Sequence, residues 1–326
     1  MRSAASRLSG SHLLRSRIAG SRSAGSRLLR SRIARSRLQT VISAERRAVG
    51  AVVLATLLWG GTFVAIRDAV AGVGAAGLVA ARFACAGVLL AGVLVVRRRV
   101  PTAFDVMGGA LSGGLVAGEF FLQALGLRWT SAGSSAFLTC AGSLLAAFWA
   151  WLLLRQRPSA RLLLGLAIAM AGSALLSLRS GLRLGIGELL TLGGAALFGL
   201  QVVALAPFAR RADAIALVCV QSLVAGALLA PFAGPPANVV RSLGGANLAR
   251  FAYLVVAGST IGPLLQVLAQ RTLSPGRMGL LFALEPVFAL VFAVTFGAER
   301  FALRWWLGAA MILFAVVMVE WRGESA

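Results

Sequence analysis

LRWTSAGSSAFLTCAGSLLAAFWAWLLLRQRPSARLLLG, residues 127–165, lies without a gap on QRTLSPGRMGLLFALEPVFALVFAVTFGAERFALRWWLG, residues 270–308, at a constant offset of 143. Arg128 falls on Arg271, Ser131 on Ser274, Gly133 on Gly276, Arg157 on Arg300, Arg161 on Arg304 and Gly165 on Gly308. Coincidences among Leu, Ala and Gly are cheap in an apolar chain. Four Arg or Ser pairs in register with two Gly pairs are not. The match covers the fourth and fifth, then the ninth and tenth, of the apolar runs set out below, so the repeating unit is five helices long. A unit with an odd number of spans must enter a membrane in opposite orientation in its second copy. Inverted repeats of this kind build alternating-access transporters with the substrate site between the halves near the midplane, although duplication also builds channels and scaffolds.

Composition sets the solvent. Of 326 residues 59% are hydrophobic and only 13% charged, and the mean hydropathy is +0.88. A water-soluble surface needs more charge than that, so most of the chain faces lipid. A span needs about 20 apolar residues. Ten runs qualify, at about 49–66, 73–96, 104–125, 132–154, 161–178, 186–206, 214–232, 250–268, 277–296 and 302–320. The predicted fold is all-α integral membrane, ten transmembrane helices as two inverted-topology five-helix repeats, 48–180 and 181–322, with a short C-terminal tail at 323–326. All cations are Arg; with the N-terminus inside, 13 Arg flank the inner ends of the spans and 8 the outer ends. That bias places both termini in the cytoplasm of a plasma-membrane protein.

Residues 1–47 form a basic tail. Seven pentapeptides, SRLSG, SHLLR, SRIAG, SRSAG, SRLLR, SRIAR and SRLQT, fill residues 6–40, and His12 stands where the other copies have Arg. A period of five fits neither a helix face nor a strand. The tail reads as a disordered translated repeat upstream of a start near Val41. Anionic headgroups, nucleic acid and an organellar transit role are the alternatives, and no specific nucleic-acid partner is expected. Since His12 is the only His, no His base or His metal ligand exists among the spans. Cys85, Cys140 and Cys219 are scattered in apolar runs and read as small buried hydrophobes. No metal or cofactor is expected, and no G-x-x-x-x-G-K motif offers ATP as a direct driver.

Charges well inside the spans, away from their ends, are Arg82, Glu119 and Glu285. Each costs about 2.5–3.5 kcal/mol at a helix centre on insertion scales, which disfavours a lipid-facing position. Arg82 lies ~13 Å and Glu119 ~9 Å from the outer ends of their spans, so an ion pair between them is one reading. The other is an Arg that takes a substrate carboxylate bidentately. Gln123 shares a helix face with Glu119 and falls on Gln266 at the offset of 143, a symmetry-related pair that either lines a cavity or bonds to neighbouring helices. Should transport be coupled to protons, Glu119 is the candidate carrier, because a carboxyl withdrawn from water favours its neutral form. Pro286 is the helix-kink candidate, and Glu285 before it either caps the freed amides or lines the site. Trp59 with Gly60 and Gly61 marks a candidate substrate-facing bend. The Gly109/Gly113, Gly114/Gly118 and Gly258/Gly262 spacings suit close helix packing, or sliding of helices during the access cycle.

LLWGGTFVAIRDAV (57–70), Arg82-Phe83, GLRWTSAGSSAFLTC (126–140) and LEPVFALVFAVTFGAERFALRWWLGAAMIL (284–313) resemble the EamA-type family of drug/metabolite transporters. The resemblance implies a ten-helix inverted-repeat fold and the export, or sometimes uptake, of amino acids or related small metabolites. Two departures concern the first half: Ser143 stands where the family often has Pro, against Pro286 in the second half. The family's Gly-Glu after that helix is Gly297-Ala298-Glu299 here, and Gln156 in the first half. The expected function is a secondary-active exporter, monomeric or homodimeric, with a small metabolite as substrate, the proton as candidate coupling ion and the bilayer as partner. A channel or scaffold without coupled transport is the alternative, followed by an intramembrane enzyme, for which Ser134-Ser135 and Ser259-Thr260 lack a neighbouring base.

Overall fold

A backbone in lipid must satisfy its amides within its own segment, and the apolar runs of this chain close into helices. The computed structural model describes residues 39, 42–62, 65, 74–126, 128–130, 132–177, 185–235, 246–296 and 303–321. The pentapeptide tail through residue 38, Arg67, most of the 233–249 loop, Gly297-Ala298-Glu299 and the extreme C-terminus lie outside them. The chain divides into two compact units, Met1–Arg47 and Ala48–Ala326, and the helical body belongs to the second.

Among the described residues every regular element is helical. Residues 42–62 form α1. Then follow α2 (Ala75–Val96), α3 (Ala103–Gly126), α4 (Ala132–Leu154), α5 (Ala160–Ser177), α6 (Ile186–Ala209) and α7 (Ala214–Leu229). A rod of three pieces comes next: α8 (Ala246–Tyr253), a π-helical stretch (Leu254–Ile261) and α9 (Gly262–Gln270). The chain finishes with α10 (Pro275–Phe282), α11 (Glu285–Phe296) and α12 (Leu303–Glu320). Seven helical stretches among the described residues are long and apolar enough to cross a membrane. Helical segments recur at the sequence offset: shifted by 143 residues, α3, α4 and α5 overlie the α8–α9 rod, α10–α11 and α12.

Packing is tight where side chains are absent. A methyl at Gly109 would sit 2.7 Å from the Leu217 carbonyl, and one at Gly113 2.6 Å from that of Gln221, so this pair seats α3 on α7. Gly172 and Gly308 bring α5 and α12 together in the same way. At Gly114 nothing lies within 4 Å. α1 continues through Gly60 and Gly61 without a break. There a methyl on Gly60 would meet the Ala289 amide at 2.8 Å, so the glycines admit α11.

Two local departures from plain helix have chemical causes. In the rod, the Gly262 amide donates to Ala257, five residues back, and Pro263 has no amide to donate. The Thr260 hydroxyl donates to the Val255 carbonyl (2.8 Å), again five residues back. The wider register leaves the Gly258 carbonyl without its α-helical donor. The second departure is the interruption at Ala283–Leu284 between α10 and α11, where the sequence reading has one span, 277–296. Pro286 cannot donate, and its ring crowds the carbonyl four residues earlier. The corresponding α4 runs unbroken through Ser143, which keeps its amide.

Candidate functional site

Arg82 on α2 is 4% exposed although it is a cation. Its guanidinium carbon lies 5.0 Å from the Phe83 ring centre and 4.7 Å from that of Phe120 on α3, so two aromatic faces carry the charge that water does not. Arg82 Nε is buried with no hydrogen-bond partner. Glu119 of α3, 8% exposed, and half-buried Glu285 of α11 are the two carboxylates within electrostatic reach of Arg82. The direct Arg82–Glu119 ion pair is not formed, and neither carboxylate accepts a hydrogen bond from a described residue. Three helices thus present one cation and two carboxylates to a common interior. Their hydrogen-bonding capacity is largely unspent, and buried polar groups rarely stay that way without a role. Glu285 does not cap the amides around Pro286.

The two glutamines paired by the repeat have different surroundings. Gln123 donates to the Thr139 hydroxyl on α4 (2.8 Å). Gln266 on α9 heads a buried chain: its amide donates to Gln201 Oε1 (2.9 Å), Gln201 Nε2 to Ser112 Oγ (2.8 Å), and Ser112 Oγ to Gln221 Oε1 (2.7 Å). The chain ties α9, α6, α3 and α7. Ser112, Gln201 and Gln221 were not among the sequence candidates. Their only signal was an isolated amide or hydroxyl within an apolar run, which says that a partner is needed but not which.

Trp59 donates its indole N–H to the free Gly258 carbonyl (2.9 Å) and packs at a tilt against Phe282 at the end of α10 (5.4 Å between ring centres). The Tyr253 hydroxyl donates to the Leu58 carbonyl (2.7 Å). α1 is therefore fastened to the rod at Tyr253, just before the π-helical stretch, and at Gly258 within it. At the opposite ends of the helices, Arg277 and Glu320 form a largely buried pair at 2.6 Å. Arg271 donates to the Ala209 and Ala212 carbonyls, closing the C-terminus of α6. Asp213 caps α7 and faces Arg99 at 3.6 Å.

Comparison with known proteins agrees with this architecture. The EamA-like transporter family matches twice in succession, over residues 46–178 and 185–321. An uncharacterized transporter of Archaeoglobus fulgidus is 26% identical over 272 residues, covering 82% of this chain and 84% of that protein. A crystal structure of another protein superposes with a TM-score of 0.71 over 85% of this chain and 99% of its own, at 19% identity. That last likeness is one of fold.

Proposed function

The chain belongs to the EamA-like transporter family, and on that premise we propose a secondary-active transporter that exports a carboxylate-bearing metabolite, an amino acid or a close relative, by alternating access. The observation that carries this reading is the interior set of Arg82, Glu119 and Glu285. A buried guanidinium with an unsatisfied Nε suits a substrate carboxylate, which it can meet bidentately. The two carboxylates suit a substrate ammonium, or a proton moving with the cargo. Supplied from α2, α3 and α11, the set draws on both halves of the chain.

The finer architecture belongs to the same proposal: ten spans, two inverted halves, both termini in the cytoplasm. The double family match and the recurrence of helical segments at the 143-residue offset support it. So do the contacts of α2 with α7 and α5 with α12, since an inverted repeat sets each such helix against its own counterpart. Proteoliposomes loaded with candidate amino acids test the function. Saturable counterflow whose KM rises in Arg82→Gln is expected; linear, non-saturable flux would instead indicate a channel.

A further inference from the structure

The loop from α4 to α5 carries Arg155, Gln156, Arg157 and Pro158, and both arginines are exposed. Below it the two helices leave a groove of about 640 Å³ lined by Leu144, Phe148, Trp151 and Leu163, with Arg157 and Pro158 at its polar end. That volume is in the range of ligand sites, about 300–1,000 Å³. From Trp151 to Leu144 the groove follows α4 for about 10 Å away from the loop. Leu144, Phe148, Trp151 and Leu163 are each more than a third exposed. Neither Arg155 nor Arg157 is paired with a carboxylate among the described residues. The interior site draws its carboxylates from other helices, so this groove is separate from it. Arg155 closes α4 with φ +56°, the left-handed conformation that glycine usually supplies at a helix end.

An apolar slot that opens on lipid and ends at an unpaired guanidinium matches one chemical class. We infer that the groove binds an anionic phospholipid, its headgroup phosphate against Arg157 and one acyl chain along Leu144, Phe148, Trp151 and Leu163. A zwitterionic lipid brings an ammonium with its phosphate and forfeits the net attraction. One basic side chain beside an anionic headgroup is worth about fivefold in binding. The inference requires the chain to lie in a membrane and nothing about its cargo.

The test uses the full chain in bilayers without substrate or gradient, so its failure leaves the transport reading untouched. Phosphatidylglycerol and phosphatidylcholine with identical brominated acyl chains are titrated against tryptophan fluorescence. The quenching lost in Trp151→Phe isolates the groove. For Trp151, phosphatidylglycerol is expected to outcompete phosphatidylcholine about fivefold. Arg157→Lys should keep this preference, and Arg157→Gln should bring it close to unity. Arg155→Gly/Arg157→Gln, which also relieves the left-handed turn, should abolish it entirely. Equal quenching by the two lipids in the parent chain would overturn the assignment, as would a preference that survives the double substitution. Shielding of Trp151 from both lipids, with cross-linking between copies through Phe148→Cys, would overturn it in favour of a second copy of the chain.

Discussion

Arg82 combines two features that pull against each other, deep burial and an unsatisfied donor. The flanking Phe rings offset part of the lost hydration, since a desolvated cation over an aromatic face gains about 2 kcal/mol. They do not satisfy Nε, and a substrate carboxylate would. Replacing Arg82 with Gln should remove a charged hydrogen bond of about 1.5–3 kcal/mol, which raises KM for a carboxylate substrate roughly ten- to hundredfold. Arg82→Lys should recover only part of that, because an ammonium lacks the planar fork. Glu119 has no hydrogen bond to hold its carboxylate and is free to exchange a proton with the cavity. Glu119→Gln should abolish flux driven by a pH gradient while leaving substrate exchange. Intact pH-driven flux in that variant would remove Glu119 from the coupling.

Among the elements, the α8–α9 rod and the α10–α11 break are the irregular ones, and each turns on a proline. A Cβ on Gly262 would collide with Trp59 Nε1. Gly262→Ala should therefore expel the indole from the Gly258 carbonyl and destabilise the fold by about 1–3 kcal/mol, the usual cost of overpacking. The cost should largely vanish in a Trp59→Phe background, and additive losses would show that the two residues do not meet. Pro286 behaves otherwise, because it sits in the first turn of α11, where a missing amide costs little. Pro286→Ala should leave the melting temperature nearly unchanged and lower the transport rate by letting α10 and α11 fuse. A variant with unaltered turnover would mean that the interruption plays no part in the cycle.

For the whole molecule, the 143-residue offset ties sequence to architecture. A cytoplasm-dependent reporter fused after Ala326 should be active and one inserted within residues 236–245 silent; the opposite result would invert the proposed topology. Deleting residues 1–40 should leave membrane insertion and counterflow unchanged, as expected of a segment whose five-residue period matches no secondary structure. Loss of insertion would show that the tail works in targeting or anchoring.

Helix class, helix positions and the doubling of the chain were legible in the residues, because hydropathy and periodicity are local properties and a duplication preserves register. The same holds for the three interior charges: in an apolar run, cost alone marks them. The partners of those charges were not legible. Depth along a helix allowed an Arg82–Glu119 ion pair, yet the rotation of α2 and α3 about their axes set Arg82 between Phe83 and Phe120 and left Glu119 unbonded. Gln123 and Gln266 looked equivalent by offset, but the position that matches Thr139 is Phe282, which has no hydroxyl, and Gln266 bonds Gln201 of α6 instead. The self-matching stretch 127–165 and 270–308 thus marked the chain as doubled, since a duplication preserves the order and spacing of the apolar runs it copies. Only the tertiary structure decided which faces meet, because packing joins residues that the chain keeps far apart.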